Sequence, residues 1–328
     1  MTEEAIMARP EPAAVSRVGL VGAGTIGGGW ALHFLRHGKD VAVFDPGPGS
    51  ADALNRLVDR AWPVMEELGL APGADPGRLR VASSLEEVLA GAEVVQESAP
   101  DNLAAKVSLY AEMDAIAAPD VPIVSSTSGF AMTDIQADCK FPGRTVIGHP
   151  FNPPYLMPLV EVVGGERSDA EVVDWTAAFY AATGKRVITM RREVPGFIAN
   201  RLQGAMRAEA LHMIAAGEAT VEEIDIAVAN GPGLRWAIMG PLMIQHLAGG
   251  EGGIVHSLDG YLKLALKEPR TRLRAPEISD ELREVLVAGC TREAAGRSVA
   301  EIARERDVCL VAILKALESC RSGGQGGS

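Results

Sequence analysis

Long apolar runs, basic charge and closely spaced cysteines are all scarce in this 328-residue sequence. No stretch approaches the roughly 18 to 20 consecutive apolar residues that a membrane-spanning helix needs. The 31 Lys and Arg residues against 43 Asp and Glu give a formal net charge of -12, which a phosphate backbone would repel. The four cysteines are far apart and show neither CxxC spacing nor a neighbouring histidine pair. We therefore expect no membrane or nucleic-acid partner, reduced thiols and no metal site.

The N-terminus lacks the basic start and apolar stretch of a secretory signal. Its first fifteen residues carry acidic side chains and two prolines instead, which predicts a cytoplasmic protein. The length of the chain suits two domains of ordinary size, each with its own core.

Short β-like runs, separated by helical patterns, occupy the first 190 residues. This alternation predicts an α/β fold of the Rossmann type, with a mostly parallel sheet that is covered on both faces. We place this first domain at residues 1–190. The predicted strands are 16–21, 40–44, 92–96, 121–125, 146–149, 159–163 and 186–190.

The rest of the chain, residues 191–328, is predicted to form an all-α second domain. Pro195 opens its first helical stretch, and nothing later has strand periodicity. A Thr followed three residues later by a Glu is typical of a capping box at a helix start. The predicted features are a helix over 196–217, the capping box of Thr220 and Glu223, a final amphipathic helix over 298–319 and a disordered tail over 323–328.

A glycine-rich GxGxxG element lies between the first predicted strand and the following helix. In this context Gly22 permits a tight turn, Gly24 lets a pyrophosphate approach the backbone, and Gly27 lets the helix pack on the strand. The start of the helix, with Thr25 and Ile26, then supplies N–H donors to the phosphates. The element therefore predicts a dinucleotide site.

Asp45 selects the type of dinucleotide. It lies 18 residues beyond Gly27, at the end of the next predicted strand, where a carboxylate can accept hydrogen bonds from the adenosine ribose hydroxyls. The 2′-phosphate of NADP would face this charge with no arginine nearby to compensate. We therefore predict NAD as the cofactor.

His149 and Glu161 form the predicted catalytic pair. His149 ends a short apolar run, and Glu161 lies within the next one, where a lone carboxylate would be costly without a partner. If the intervening FNPPYLMP stretch turns the chain back, the two strands bring these residues together. Alcohol oxidation needs a base for the hydroxyl proton and benefits from a carboxylate that stabilises the imidazolium. The alternative is a structural ion pair in the core.

Two further polar residues fit the same pocket. Ser128 follows an apolar run, and Asn200 lies on the first helix of the second domain. Each can donate or accept a hydrogen bond at the substrate oxygen. The residues alone leave alternatives open, because Ser128 could cap the following helix and Asn200 could be an ordinary interdomain hydrogen-bonding residue.

Four motifs, GAGTIG, STSG, GHPFNPPYLMPLVEVV and VPGFIANRLQ, occur in this order. Together they resemble the L-3-hydroxyacyl-CoA dehydrogenase superfamily, over nearly the whole chain. The resemblance implies an NAD-dependent dehydrogenase that forms a homodimer through its helical domain. The site residues that it implies are His149, Glu161, Ser128 and Asn200 for catalysis, with Glu97 and Lys106 near the nicotinamide ribose.

Within the superfamily, residues 231–253 resemble L-carnitine dehydrogenases most, with lambda-crystallin (L-gulonate 3-dehydrogenase) next. Those enzymes act on free hydroxy acids. Arg235 could bind a substrate carboxylate through two parallel hydrogen bonds, and a thioester lacks that group. The alternative for Arg235 is a surface or interdomain salt bridge. The candidates for binding a trimethylammonium group are Trp236, Tyr155 and Phe197. Asn152 is a further candidate for binding the substrate.

We therefore predict that the enzyme oxidises the 3-hydroxyl of a small free acid, similar to L-carnitine, to a 3-oxo acid. Two alternatives stay open. One is a 3-hydroxyacyl thioester of coenzyme A or acyl carrier protein, although residues 51–80 contain no lysine, whereas acyl-CoA enzymes of the superfamily carry a lysine-rich extension there. The other is a non-catalytic, NADH-binding protein similar to the crystallin relatives.

Overall fold

In the computed structural model, the chain divides into two compact units, Met1–Arg201 and Leu202–Ser328. The structure describes residues 9–260, 262–263, 279–299, 301–302, 305, 309, 312–313 and 316. Among the helices of this part of the chain, none combines the length and the apolar character that crossing a membrane requires.

Eight strands form one sheet in the first unit. They are β1 Arg17–Val21, β2 Asp40–Phe44, β3 Leu79–Val81, β4 Val94–Glu97, β5 Ile123–Ser125, β6 Thr145–Pro150, β7 Leu159–Gly164 and β8 Arg186–Thr189. Their order is β3-β2-β1-β4-β5-β6-β7-β8, and only β6 and β7 pair antiparallel. The first six strands therefore end at one side, which we call the carboxyl edge, and β7 starts there.

Helices cover both faces of this sheet and bury its Val-rich strands. One face carries α1, α2 and α6, with Trp30 and Phe179 in its core, and the other carries α3, α4 and α5, with Tyr110 and Met113 in its core. The bounds are α1 Thr25–Arg36, α2 Ser50–Glu67, α3 Leu85–Leu89, α4 Leu103–Ile116, α5 Met132–Ile135 and α6 Ala170–Ala182. The predicted Rossmann-type α/β fold is thus confirmed.

The edge strand β3 was not predicted from the sequence. It has three residues and pairs only with β2, and its central Arg80 and terminal Val81 are exposed. A short strand at the edge of a sheet is not buried on both faces, so it needs no continuous apolar run. The sequence therefore carried no periodic signal for it.

The next helix, α7, spans Ala199–Ala215 and so begins three residues later than predicted. Gly196 and Phe197 have φ angles of +75° and +50°. A right-handed helix cannot pass through this left-handed region. The short turn that results separates Pro195 from the helix and leaves the first amides of α7 free for other acceptors.

All regular secondary structure among the described residues of the second unit is helical, as predicted. After α7 it contains α8 Val221–Asn230, α9 Pro232–Trp236, α10 Pro241–Ala248, α11 Gly253–Asp259 and α12 Asp280–Ala294. The capping box of Thr220 and Glu223 is present at the start of α8. A small core includes Met243, Ile254 and Cys290. Most of the predicted helix over 298–319, and all of the predicted tail over 323–328, lie outside the described residues.

Candidate active site

The glycine-rich turn joins β1 to α1 at the carboxyl edge. Gly22 has a φ of +98°, and a Cβ there would lie 2.7 Å from the backbone of Ser98. A Cβ on Gly27 would lie 1.9 Å from the carbonyl oxygen of Gly22, so neither position accepts a side chain. Among the residues that the structure describes, a Cβ on Gly24 would meet no atom within 4 Å. The turn is therefore closed toward the protein and open in front of Gly24.

This opening fits the pyrophosphate of a dinucleotide. Gly24 is the N-cap of α1, and none of the described side chains caps the helix there. The amides of the first helical turn, which includes Thr25 and Ile26, can therefore donate to a ligand. A bound phosphate would also lie at the positive end of the helix dipole. The residues present thus suit the binding of NAD.

Asp45 lies just after β2, beside the glycine-rich turn. Its Oδ2 accepts a hydrogen bond from the amide of Ala23 at 2.7 Å, and its Oδ1 accepts one from the amide of Gly47 at 2.7 Å. A carboxylate has about four lone-pair sites, so capacity remains for ribose hydroxyls. No spacing in the sequence indicated the contact with Ala23, which depends on the pairing of β1 with β2.

Glu97 and Lys106 form a buried ion pair at the end of β4. The Lys106 Nζ lies 2.7 Å from Glu97 Oε1 and also donates to the carbonyl of Ala99 at 2.9 Å. Glu97 Oε2 accepts a hydrogen bond from Ser125 Oγ at 2.6 Å. The pair thus fastens the loop after β4 to the end of β5, and removing one partner would cost about 3 to 5 kcal/mol. A place near the nicotinamide ribose stays a prediction.

The antiparallel pairing of β6 and β7 sets His149 directly opposite Glu161. The two atoms His149 Nδ1 and Glu161 Oε2 are 2.9 Å apart, and both side chains are buried. With Nδ1 as the donor, a neutral imidazole carries its lone pair on Nε2. The arrangement therefore orients a histidine that can accept a proton through its other nitrogen.

The start of α7 holds the second oxygen of Glu161. Oε1 accepts hydrogen bonds from the amides of Ile198 at 2.9 Å and Ala199 at 3.1 Å. Burial raises the pKa of Glu161, but the hydrogen bonds from the imidazole and the two amides outweigh burial and leave this pKa below its ordinary value. Glu161 is thus an anion at neutral pH and can stabilise an imidazolium.

Phe197 packs its ring against the imidazole of His149, with the centroids 4.8 Å apart. It is buried, and its φ of +50° is unusual for a bulky residue. Such strain costs on the order of 1 to 3 kcal/mol and persists only where the surroundings enforce it. Here the turn directs the following two amides at Glu161, a function of the VPGF segment that no periodicity in the sequence indicated.

The hydroxyl groups of the Ser125–Ser128 stretch differ in their contacts. The first three are held by neighbouring side chains. Their partners are Glu97 for Ser125, Trp30 and Gln96 for Ser126, and Asp101 for Thr127. Ser128 is exposed, and its Oγ lies a long 3.3 Å from Asp101 Oδ2, so it is the hydroxyl best able to turn to a substrate. Because α5 begins at Met132 with Ala131 as its N-cap, the alternative of Ser128 as an N-cap is wrong.

The remaining predicted residues fall in two groups. Asn200 is the second residue of α7, and Asn152 follows His149 by three residues in the connection between β6 and β7. Both therefore lie in segments attached to the catalytic pair. Arg235 and Trp236 are exposed residues at the end of α9, in the second unit. The substrate contacts assigned to these four residues and to Ser128 stay predictions.

Two family models together cover most of the chain. Residues 17–194 match the NAD-binding domain of 3-hydroxyacyl-CoA dehydrogenase, and residues 196–300 match the C-terminal domain of that enzyme. The chain belongs to the 3-hydroxyacyl-CoA dehydrogenase family. It is accordingly an NAD-dependent dehydrogenase that acts on a CH–OH group, and the predicted cofactor and enzyme class are confirmed.

Several relatives of this family member are similar over nearly their whole length. The L-carnitine dehydrogenase of Nocardiopsis dassonvillei is 55% identical over 97% of this chain and 95% of its own. The L-carnitine dehydrogenase of Streptomyces griseus is 56% identical over 93% and 91%. The L-carnitine dehydrogenase of Pseudomonas putida is 45% identical over 92% of this chain and 94% of its own.

Solved structures of related dehydrogenases share the fold. A 5-formyl-3-hydroxy-2-methylpyridine 4-carboxylic acid 5-dehydrogenase, described as an NAD+ dependent dismutase, is 27% identical with a TM-score of 0.73, over 93% of this chain and 99% of its own. FadB2 of M. tuberculosis is 30% identical with a TM-score of 0.62, over 84% of this chain and 95% of its own.

Proposed function

We propose that this dehydrogenase oxidises the 3-hydroxyl of L-carnitine, or of a closely similar free 3-hydroxy acid, to the 3-oxo acid. The observation that carries the proposal is the combination of the His149–Glu161 pair with relatives named L-carnitine dehydrogenase. Eight such relatives are 41 to 56% identical over at least 92% of this chain.

His149 is the general base in the proposed reaction. Its Nδ1 is held by Glu161, so Nε2 accepts the hydroxyl proton while the carboxylate stabilises the imidazolium. The glycine-rich turn and Asp45 would hold NAD+, which would supply the hydride acceptor, so that 3-hydroxy acid and NAD+ balance as 3-oxo acid, NADH and one proton. Ser128 and Asn200 hold the reacting oxygen.

A positively charged side chain favours a free acid over a thioester as the substrate. Arg235 binds the substrate carboxylate, which a thioester does not have. Trp236 and Asn152 are exposed and contact the far end of the substrate. Phe197, buried against the imidazole, shapes the wall beside the reacting carbon instead.

An NAD-reduction screen tests this proposal. The substrates are L-carnitine, L-gulonate, 3-hydroxybutyrate and 3-hydroxybutyryl-CoA, with D-carnitine as the stereochemical control, and NADH formation gives kcat/KM for each. We expect the highest kcat/KM with L-carnitine and little turnover of D-carnitine. A higher kcat/KM with 3-hydroxybutyryl-CoA would establish the thioester alternative. NAD binding without turnover of any substrate would favour the non-catalytic one.

We further propose that the protein is a homodimer formed through its second unit. The helix α7 buries none of its residues. Its apolar side chains Leu202, Met206, Leu211 and Ile214 are exposed, and a second copy of the chain would cover them. Light scattering should give twice the chain mass, and the double variant Leu202→Glu, Leu211→Glu should give the monomer mass. A monomeric wild-type protein would contradict the proposal.

We also expect the protein in the cytoplasm, because a dehydrogenase of this kind draws on the NAD pool there. Cell fractionation followed by immunoblotting checks this. Recovery in an extracytoplasmic fraction would show that the expectation is wrong.

A further inference from the structure

Trp30 lies fully buried on α1, beneath the catalytic end of the sheet. Its indole Nε1 donates a hydrogen bond to Ser126 Oγ at 3.1 Å. The Lys185 Nζ lies 5.0 Å from the centroid of the same ring, at cation–π distance. One aromatic side chain therefore contacts both the stretch that leads to Ser128 and a buried cation.

The hydroxyl of Ser126 holds the loop after β5 in place through side-chain hydrogen bonds. Besides the indole, its Oγ accepts a hydrogen bond from Gln96 Nε2 at 2.8 Å and lies 2.8 Å from Ser98 Oγ. The ring of Tyr180 stacks on Trp30 with centroids 5.2 Å apart, and its hydroxyl donates to Gln96. These contacts close a network around Trp30, so the indole has little freedom to move.

Lys185 holds a second loop. It is buried, and its Nζ donates to the carbonyl of Pro154 and, at 3.0 Å, to the carbonyl of Met157. Both carbonyls belong to the connection between β6 and β7, which carries Asn152. The helix α1 also packs on this connection directly, since a Cβ on Gly29 would lie 2.5 Å from the Cδ of Pro154.

The ammonium of Lys185 is costly to bury. Burial, together with the nearby charge of Arg36, lowers the pKa of Lys185 to about 8, and within the described residues no carboxylate pairs with it. An apolar side chain of similar size would fill the same space without that cost. Its three N–H donors, two of which reach loop carbonyls, distinguish a lysine from such a filler.

We propose that Trp30 and Lys185 are positioning residues for the dehydrogenase reaction. Together they tie the loops that carry Ser128 and Asn152 to α1, whose N-terminus fits the dinucleotide. The two substrate loops and the cofactor helix then keep one mutual geometry, on which the rate depends steeply. This inference rests on the proposed substrate roles of Ser128 and Asn152.

The first test measures the loops themselves, without cofactor or substrate. Trp30→Phe keeps the ring stacking but removes the N–H donor, and hydrogen exchange should accelerate in residues 126–129. Lys185→Met keeps the bulk but removes the ammonium, and exchange should accelerate at the amides of Leu156 and Met157, which bond to the carbonyl of Pro153 at 3.0 and 2.9 Å.

Two control variants make the same substitutions at a half-buried tryptophan and a half-buried lysine elsewhere in the first unit. Trp175 donates its Nε1 to the carbonyl of Pro10 and stacks on Phe179, and Lys39 donates to the carbonyl of Val15. None of these contacts involves either loop. Trp175→Phe and Lys39→Met should therefore leave exchange in 126–129 and 151–158 unchanged.

The second test is kinetic. Lys185→Met should raise the KM for the hydroxy acid about tenfold and lower kcat/KM by more, with NAD affinity unchanged. Lys185→Arg, which keeps the cation and its donors, should restore most of that loss. Trp30→Phe should lower kcat/KM less than Lys185→Met does. The losses of kcat/KM from Trp30→Phe and Ser126→Ala should be less than additive in the double variant, because both changes remove the same hydrogen bond.

The outcomes separate this inference from the proposed function. Trp30→Phe and Lys185→Met could lower only the thermal stability and leave the KM and the hydrogen exchange of both loops as in the controls. In that case the two residues merely fill the core, and the inference is wrong. If even the wild-type protein oxidises no hydroxy acid, the proposed function fails, and the exchange measurement still decides whether Trp30 and Lys185 hold the loops.

Discussion

Two carboxylates at the carboxyl edge, Asp45 and Glu161, each accept hydrogen bonds from two backbone amides. Their surroundings differ. Asp45 is half-buried beside the open glycine-rich turn, whereas Glu161 is fully buried and also binds the imidazole of His149. Asp45 keeps lone pairs for a ligand, and Glu161 uses its lone pairs within the protein. Burial thus distinguishes a carboxylate that recognises a cofactor from one that orients a base.

The largest expected effect comes from the residue that Glu161 orients. His149→Gln should lower kcat by about 10²- to 10⁴-fold, because the amide cannot accept the hydroxyl proton. NAD affinity, measured by calorimetry, should stay within about twofold, since the variant leaves the glycine-rich turn intact. His256→Gln, at an exposed residue of α11, is the matched control. Full activity of His149→Gln would contradict the assignment of His149 as the general base.

The isosteric change Glu161→Gln should have the next largest effect. We expect kcat to fall about 10²-fold, because a neutral amide stabilises the imidazolium less. Its NH2 group must also face either the imidazole or the amides of Ile198 and Ala199, so stability should fall by about 1 to 3 kcal/mol. Steady-state kinetics and thermal denaturation measure these two losses. An unchanged kcat would mean that the pair has only a structural role.

Asp45→Asn makes the same chemical change at the other carboxylate. We expect about tenfold weaker NAD binding and a narrower preference for NAD over NADP, since the repulsion of a 2′-phosphate is removed. The kcat at saturating NAD should be unaffected. Calorimetric titration of NAD and kinetics with both dinucleotides check this. A large fall in kcat would contradict the division of roles between Asp45 and Glu161.

The smallest expected effect is on stability in acid. Because the folded protein lowers the pKa of Glu161 below its ordinary value of 4.5, its contribution to stability is fully present above pH 4.5 and is lost as the pH falls through the folded pKa. Melting temperatures from about pH 7 to about pH 3 should therefore fall less steeply for Glu161→Gln than for the wild type. If the melting temperatures of the two proteins fell equally with pH, Glu161 would not contribute to the loss of stability in acid.

Much of the site was predictable because it follows local rules. The glycines of the GAGTIG turn and Asp45 occur at fixed positions relative to two strands and a helix. The pairing of His149 with Glu161 was predictable because a carboxylate in a β-like run needs a partner, and the chain turns back between the two strands. Three-residue β3 escaped prediction, since an exposed edge strand leaves no apolar pattern.

Other contacts join residues that are distant in sequence. The amides of Ile198 and Ala199 reach Glu161 only because Phe197 adopts a left-handed conformation, and helical periodicity instead predicted a helix that continues through it. Trp30 and Lys185 are 155 positions apart and meet because aromatic side chains of α1 stack on those of α6, and Lys185 follows α6. No spacing rule connects them.

The sequence by itself determined the α/β fold with its helical second part, the dinucleotide turn and the partnership of His149 with Glu161. These depend on periodicity and on spacings within one or two elements, which the chain carries locally. Only the tertiary structure decided how Glu161 divides its lone pairs between the imidazole and α7, and how Asp45 shares its lone pairs with Ala23. Burial and hydrogen-bond geometry control those outcomes, and both arise only when the elements pack together.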